Sequence, residues 1–148
     1  MAEEVVVKEP LTPEMLESGW ELVKALKDRK IELSACFWLY TAETNRWKLV
    51  VSLPQVDTEG PSKAYGIMQS VIRPEGFRQF ESQSFGRLVT LHLDDISVMS
   101  VSRPLVRSVA SIQMDASELG SRQKSTRIGQ VFVEDAYIYN LNRLTASA

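Results

Sequence analysis

One cysteine, one histidine, six prolines and seven glycines in 148 residues leave few ways to do special chemistry. Cys36 alone can form no internal disulfide, no thiolate zinc site and no C-x-x-C redox pair. His92 alone must serve as the base of any Ser-His-Asp or Cys-His mechanism. No run of about 18 apolar residues occurs, so no membrane-spanning helix is expected. Neither sign of charge is in excess: 17 Lys and Arg stand against 19 Asp and Glu, for a net charge of −2. That balance lacks the electrostatic footprint of a duplex-binding or membrane-surface domain. Also missing are a phosphate-cradling G-x-x-x-x-G-K-[ST], a dinucleotide G-x-G-x-x-G, a zincin H-E-x-x-H, a G-x-S-x-G elbow, an EF-hand loop and any solenoid-length repeat.

What is present is enough apolar material for a core. Hydrophobic residues make up 44% of the chain, and a chain of this length buries roughly 69% of its unfolded surface. A single domain over 1–148 is expected. The acidic start Met1-Ala2-Glu3-Glu4 is not followed by an apolar stretch of signal-peptide length, so a cytoplasmic setting is expected.

Residues 1–10, with Val5-Val6-Val7, read as an edge strand or a frayed end. Thr12-Pro13-Glu14 supplies an N-cap, a first-turn proline and a first-turn acid. The helix that follows carries Leu16, Trp20, Val23 and Leu26 on one stripe and ends near Asp28. Ile31–Tyr40 and Trp47–Leu53 both alternate, predicting a β-hairpin around the polar loop Thr41–Asn45. Pairing Tyr40 with Arg46 would face Phe37 with Leu49. Pro54 ends the second strand, 55–59 reads as a linker, and Gly60-Pro61 starts a helix that stops at Arg73-Pro74.

Arg87–Leu93 reads as a strand, Ile96–Val101 as a strand or short turn, and Pro104 opens a third helix. Residues 113–127 read as a polar, mobile loop. Ile128–Leu141 is a long final strand whose alternation breaks at Glu134-Asp135, as a bulge would break it. The expected fold class is α+β: a mostly antiparallel sheet with two to three helices on one face, beginning helix–hairpin–helix.

The expected register sets Trp38 opposite Lys48 and Tyr40 opposite Arg46. The less apolar hairpin face would then be aromatic and basic, with Tyr137 and Tyr139 extending it. Trp, Tyr and Arg dominate interface hot spots. Rings beside cations on an open sheet also suit single-stranded nucleic acid, an option that Arg122, Lys124 and Arg127 would reinforce. The candidate binding residues are therefore Trp38, Tyr40, Arg46, Lys48, Tyr137 and Tyr139.

The acidic balance favours a protein partner or a second copy over nucleic acid. The sequence reading is a non-catalytic interaction module that docks a protein partner or self-associates as a homo-oligomer through that face, with no cofactor, catalytic residue or metal assigned. One alternative is a single-stranded nucleic-acid binder. The other is a divalent-metal hydrolase built on Asp94, Asp95, Glu134 and His92, with Asp135, Asp57 and Glu59 as further carboxylates. Cys36 is expected to be an inert structural thiol.

Overall fold

The computed structural model describes residues 9–72, 81–82, 87–88, 91, 95–115 and 117–142. Val5–Val7, Phe77, Phe80, His92 and Asp94 lie outside the described residues. Helix α1 spans Pro13–Asp28. The Met15 N–H donates to Thr12 Oγ1 at 3.2 Å, and the Thr12 N–H donates back to Met15 Sδ at 3.5 Å. Two otherwise orphaned first-turn groups are thereby satisfied, which fixes where the helix begins. Leu22, Val23 and Leu26 are buried, with Leu16 and Trp20 packed beside them.

Strands β1 (Ala35–Thr41) and β2 (Arg46–Ser52) form the antiparallel hairpin. The expected register is corrected by one residue: Thr41 pairs with Arg46, Tyr40 with Trp47, Trp38 with Leu49 and Phe37 with Val50. The turn is tighter than expected. The Thr44 N–H donates to the Thr41 carbonyl, the Asn45 N–H donates to the Ala42 carbonyl, and Asn45 takes φ +50°, a left-handed value that asparagine tolerates.

Residues 55–59, expected as a linker, belong with Pro54 to a short helix, α2 (Pro54–Glu59), since proline at the first helical position is pre-set for it. Helix α3 runs Pro61–Ile72. The two-residue strands β3 (Glu81–Ser82) and β4 (Arg87–Leu88) pair with each other; the rest of the expected strand to Leu93 is only partly described. Strand β5 (Ile96–Val98) runs parallel to β2, matching Leu49 with Ile96 and Val51 with Val98. A parallel neighbour needs a long crossover, and the chain through α2 and α3 provides it. Helix α4 spans Pro104–Ala110.

Strand β6 (Gly120–Ile128) occupies much of the segment expected as a loop. It pairs antiparallel with β7 (Val131–Tyr139) through a two-residue turn. Gly129 there has φ +64°, suited to the first turn position, where a side chain would be strained. The five-stranded sheet has the order β5-β2-β1-β7-β6. The fold is α+β, as expected, but the sheet is mixed rather than mostly antiparallel.

The described helices do not share one face. Cys36, Trp38, Tyr40, Trp47, Leu49 and Val51 join buried residues of α1 and α3 in a first core. Phe37, Val50, Ala136 and Ile138 join Val106 and Val109 of α4 in a second, on the other side of the sheet. The break expected at Glu134-Asp135 is also different in kind. Lys124 pairs with Asp135 and Thr126 with Val133, so one residue is skipped on each strand and none is inserted. The skipped Ser125 has φ +45°. Beyond it Ile128 and Val133 turn into the second core.

Gly19, inside α1, is where that helix meets the sheet. A Cβ there would clash with Tyr139 Oη and fall 2.9 Å from Trp38 Nε1. Glycine to alanine inside a helix normally gains about 1 kcal/mol. Gly19→Ala is expected to lose about 1–3 kcal/mol instead, because both atoms are held in hydrogen bonds and the core must shift. Gly66→Ala in α3, with nothing within 4 Å of the new methyl, should show the ordinary gain. Urea midpoints of the two variants give opposite signs if this packing is right.

Candidate functional site

The one-residue change of register rearranges the expected binding face. Trp38, Tyr40 and Tyr139 are buried in the first core, and Tyr137 packs against it half-buried. Arg46 and Lys48 alternate onto the opposite face, where Lys48 pairs with Leu39. Arg46 Nη2 lies 3.6 Å from Asp95 Oδ1. The structure therefore brings the four aromatic residues together but separates them from both cations, and the face expected to be open lies beneath α1 and α3.

Those rings form a structural node. Trp38 Nε1–H donates to Tyr139 Oη at 2.9 Å, and the Tyr139 O–H donates to the Leu16 carbonyl at 2.6 Å. Trp20 stacks on Tyr139 at 6.0 Å and Tyr137 meets its edge at 5.4 Å. Burial pushes the Tyr139 phenol well above its ordinary value and pushes the Cys36 thiol up as well. Cys36 is thus a neutral core residue and not a nucleophile.

Both shifts bear on stability in alkali. The folded state keeps these protons while the unfolded chain releases them, so stability falls with rising pH above the ordinary thiol and phenol values. Each group contributes a slope approaching about 1.4 kcal/mol per pH unit once the unfolded chain ionises. Urea titrations from pH 7 to 11 should show this decline, and Cys36→Ala should remove its earlier part. A flat profile would contradict the burial of both groups.

Of the expected carboxylate constellation, His92 and Asp94 lie outside the described residues, and Asp95 and Glu134 do not come together. Asp95 precedes edge strand β5 and Glu134 lies on β7, three strand positions away, or about 14 Å at the usual spacing. Asp57 accepts a short hydrogen bond from the Ser100 hydroxyl. Among the described residues no group of three His, Cys, Asp or Glu could hold a metal ion.

A different aromatic and basic surface exists on the β6–β7 hairpin. Arg122 pairs with Tyr137 across the strands and lies 5.4 Å above the Trp47 ring. Its Nε and Nη2 donate to the two carboxylate oxygens of Asp135 at 2.6 and 2.7 Å. That ion pair holds the guanidinium pKa above its ordinary value and the planar fork in place. Lys124 pairs with Asp135 and Arg127 with Phe132. Alternation from Ile128 and Val133, which face the second core, puts Arg127 and Phe132 on the face that carries Arg122 and Lys124. The break at Ser125 is what collects all three cations on one side.

Phe132 is 62% exposed, the one large apolar side chain so exposed among the described residues. Beside it a groove of about 360 Å³ opens between the hairpin tips, lined by Leu39, Leu105 and Val131 with Glu43 and Glu134 also in its wall. It follows from the short seam between β1 and β7, which pair only over 37–39 and 136–138. A second cleft of about 490 Å³ lies between α4 and the ends of β1 and β7. None of its lining residues is charged. Asn140 in its wall is committed to the Asp115 and Glu118 carbonyls, so the cleft offers neither base nor acid.

Phe132 was not among the residues singled out from the sequence. The available signal was Ile128-Gly129-Gln130-Val131, a two-residue glycine turn between strand-forming segments, which places Phe132 near a hairpin tip. Compared with family models, curated proteins and solved structures, the chain matches none.

Proposed function

We propose that this chain is a non-catalytic interaction module that docks a protein partner on its β6–β7 hairpin. The observation that carries the reading is the exposed Phe132 of β7, paired with Arg127 of the edge strand β6, which carries Lys124 on the same face. An aromatic anchor with neighbouring arginine is the composition of interface hot spots. The cleft beside α4 has no charged lining residue, which supports binding over acid–base catalysis there. A cytoplasmic setting accords with a single thiol used as core packing.

A second reading, single-stranded nucleic acid on the same surface, draws support from the three cations that share its face. The test is to purify the wild type and Phe132→Asp in parallel, measure mass by light scattering, and identify what co-purifies by mass spectrometry. Proteins held by the wild type and lost by a folded Phe132→Asp support the reading. The same set on both, or nucleic acid on the wild type alone, contradicts it.

A further inference from the structure

We propose that the outer edge of β6 takes up an extended acidic peptide as an added strand, pairing along Ser121–Arg127 with its carboxylates set against Lys124 and Arg127. The inference rests on the hairpin being the docking surface and goes further, to the chemistry of what docks. Strand β6 is nine residues long and ends the sheet, and among the described residues no strand pairs with its outer side. Such an edge presents a row of N–H and C=O groups that an extended segment can complete.

Charge selects among the segments that could do so. Strand β6 carries Arg122, Lys124 and Arg127 and no acidic residue. Arg122 is already matched to Asp135, which leaves Lys124 and Arg127, both exposed, to meet an incoming anion. Side chains on one face of an added strand recur about 6.8 Å apart, and Lys124 and Arg127 share a face across the break at Ser125, so two acidic positions of a peptide can meet them while intervening apolar residues cover the opposite side. Phe132 lies one strand inboard, on β7 opposite Arg127, on the face that carries the cations.

The other occupants fit less well. A second copy pairing through the same edge would lay like cations against each other, since a two-fold interface repeats one patch and opposed like charges destabilise a sheet. Single-stranded nucleic acid cannot complete the strand's backbone hydrogen bonds, and one exposed ring falls short of the two or three bases that sheet platforms stack.

The test is fluorescence anisotropy of the full chain with a labelled peptide of alternating Glu and Val. The comparison ligands are its Lys-for-Glu counterpart, the acidic peptide N-methylated at alternate backbone nitrogens, and a short oligothymidine. Saturable binding of the acidic peptide is expected, with none of the Lys peptide. N-methylation and the exposed double change Lys124→Glu with Arg127→Glu should each weaken it by about tenfold or more, roughly 1.4 kcal/mol, with the melting temperature of the double variant unchanged.

The proposal is overturned if the acidic peptide fails to bind, if the N-methylated peptide binds equally, if charge reversal has no effect, or if oligothymidine binds more tightly. A failure of the peptide alongside partner loss in Phe132→Asp would sink the strand-addition proposal and leave the docking surface standing.

Discussion

Trp38→Ala is expected to cost about 3–5 kcal/mol of folding free energy, enough to unfold a large share of the protein if its total stability is ordinary. The indole is 2% exposed and lies between α1 and the sheet, so its removal leaves a cavity that the surrounding strands cannot collapse around. The Tyr139 hydroxyl would also lose the donor it accepts from, keeping only its own bond to the Leu16 carbonyl. Urea denaturation followed by far-ultraviolet circular dichroism measures the loss. An exposed ring on a binding face would give a change within about 0.5 kcal/mol, which would contradict the register described above. Trp38→Phe separates the two contributions, because it retains much of the packing and deletes only the hydrogen bond.

Arg122→Ala should cost about 3 kcal/mol at neutral pH. It strands the carboxylate of Asp135, which is 0% exposed, without its guanidinium. Breaking a buried pair on one side typically costs about 3–5 kcal/mol. The lower end applies because the Arg122 side chain is 37% exposed, so water can enter where it was. Trp47 loses its overlying cation as well.

The loss has a pH signature. In the variant, burial raises the Asp135 carboxyl pKa, so the folded state binds more protons than the unfolded one and stability falls as pH rises through the carboxylate range. The deficit against wild type should therefore be smaller near pH 4 than at pH 7. Arg122→Met combined with Asp135→Leu should recover most of it. Equal deficits at both pH values, or no recovery in the double variant, would show that the pair does not hold the hairpin as described.

Helices α1, α3 and α4 were legible because their starts carry local chemistry. Thr12-Pro13, Gly60-Pro61 and Pro104 each mark a terminus through side-chain capping or fixed φ, independent of what packs nearby. Hairpin register is not local in this way. Both faces of β1 are apolar, Ala35, Phe37 and Leu39 on one and Cys36, Trp38 and Tyr40 on the other, because β1 is a central strand buried on both sides. Alternation then ceases to specify register, and one residue of turn length decided which residues face which core.

The edge strand was hidden for the opposite reason. Gly120–Ile128 has almost no apolar residue until Ile128, since an edge strand needs charge more than a hydrophobic face. Its pairing with β7 fixes a strand whose own sequence reads as a loop. Trp38 and Tyr40 lie inside the first core, while the exposed ring beside a cation is Phe132 with Arg127 on the β6–β7 hairpin.

Residue-resolved amide hydrogen exchange of the full chain, with and without the alternating Glu-Val peptide, tests the β6 docking edge most directly. The account predicts slowed exchange at Ser121–Arg127 on peptide addition, with the amides of β1 and β2 unchanged. Protection confined to the cleft beside α4, or no change along β6 with the peptide bound, would contradict it.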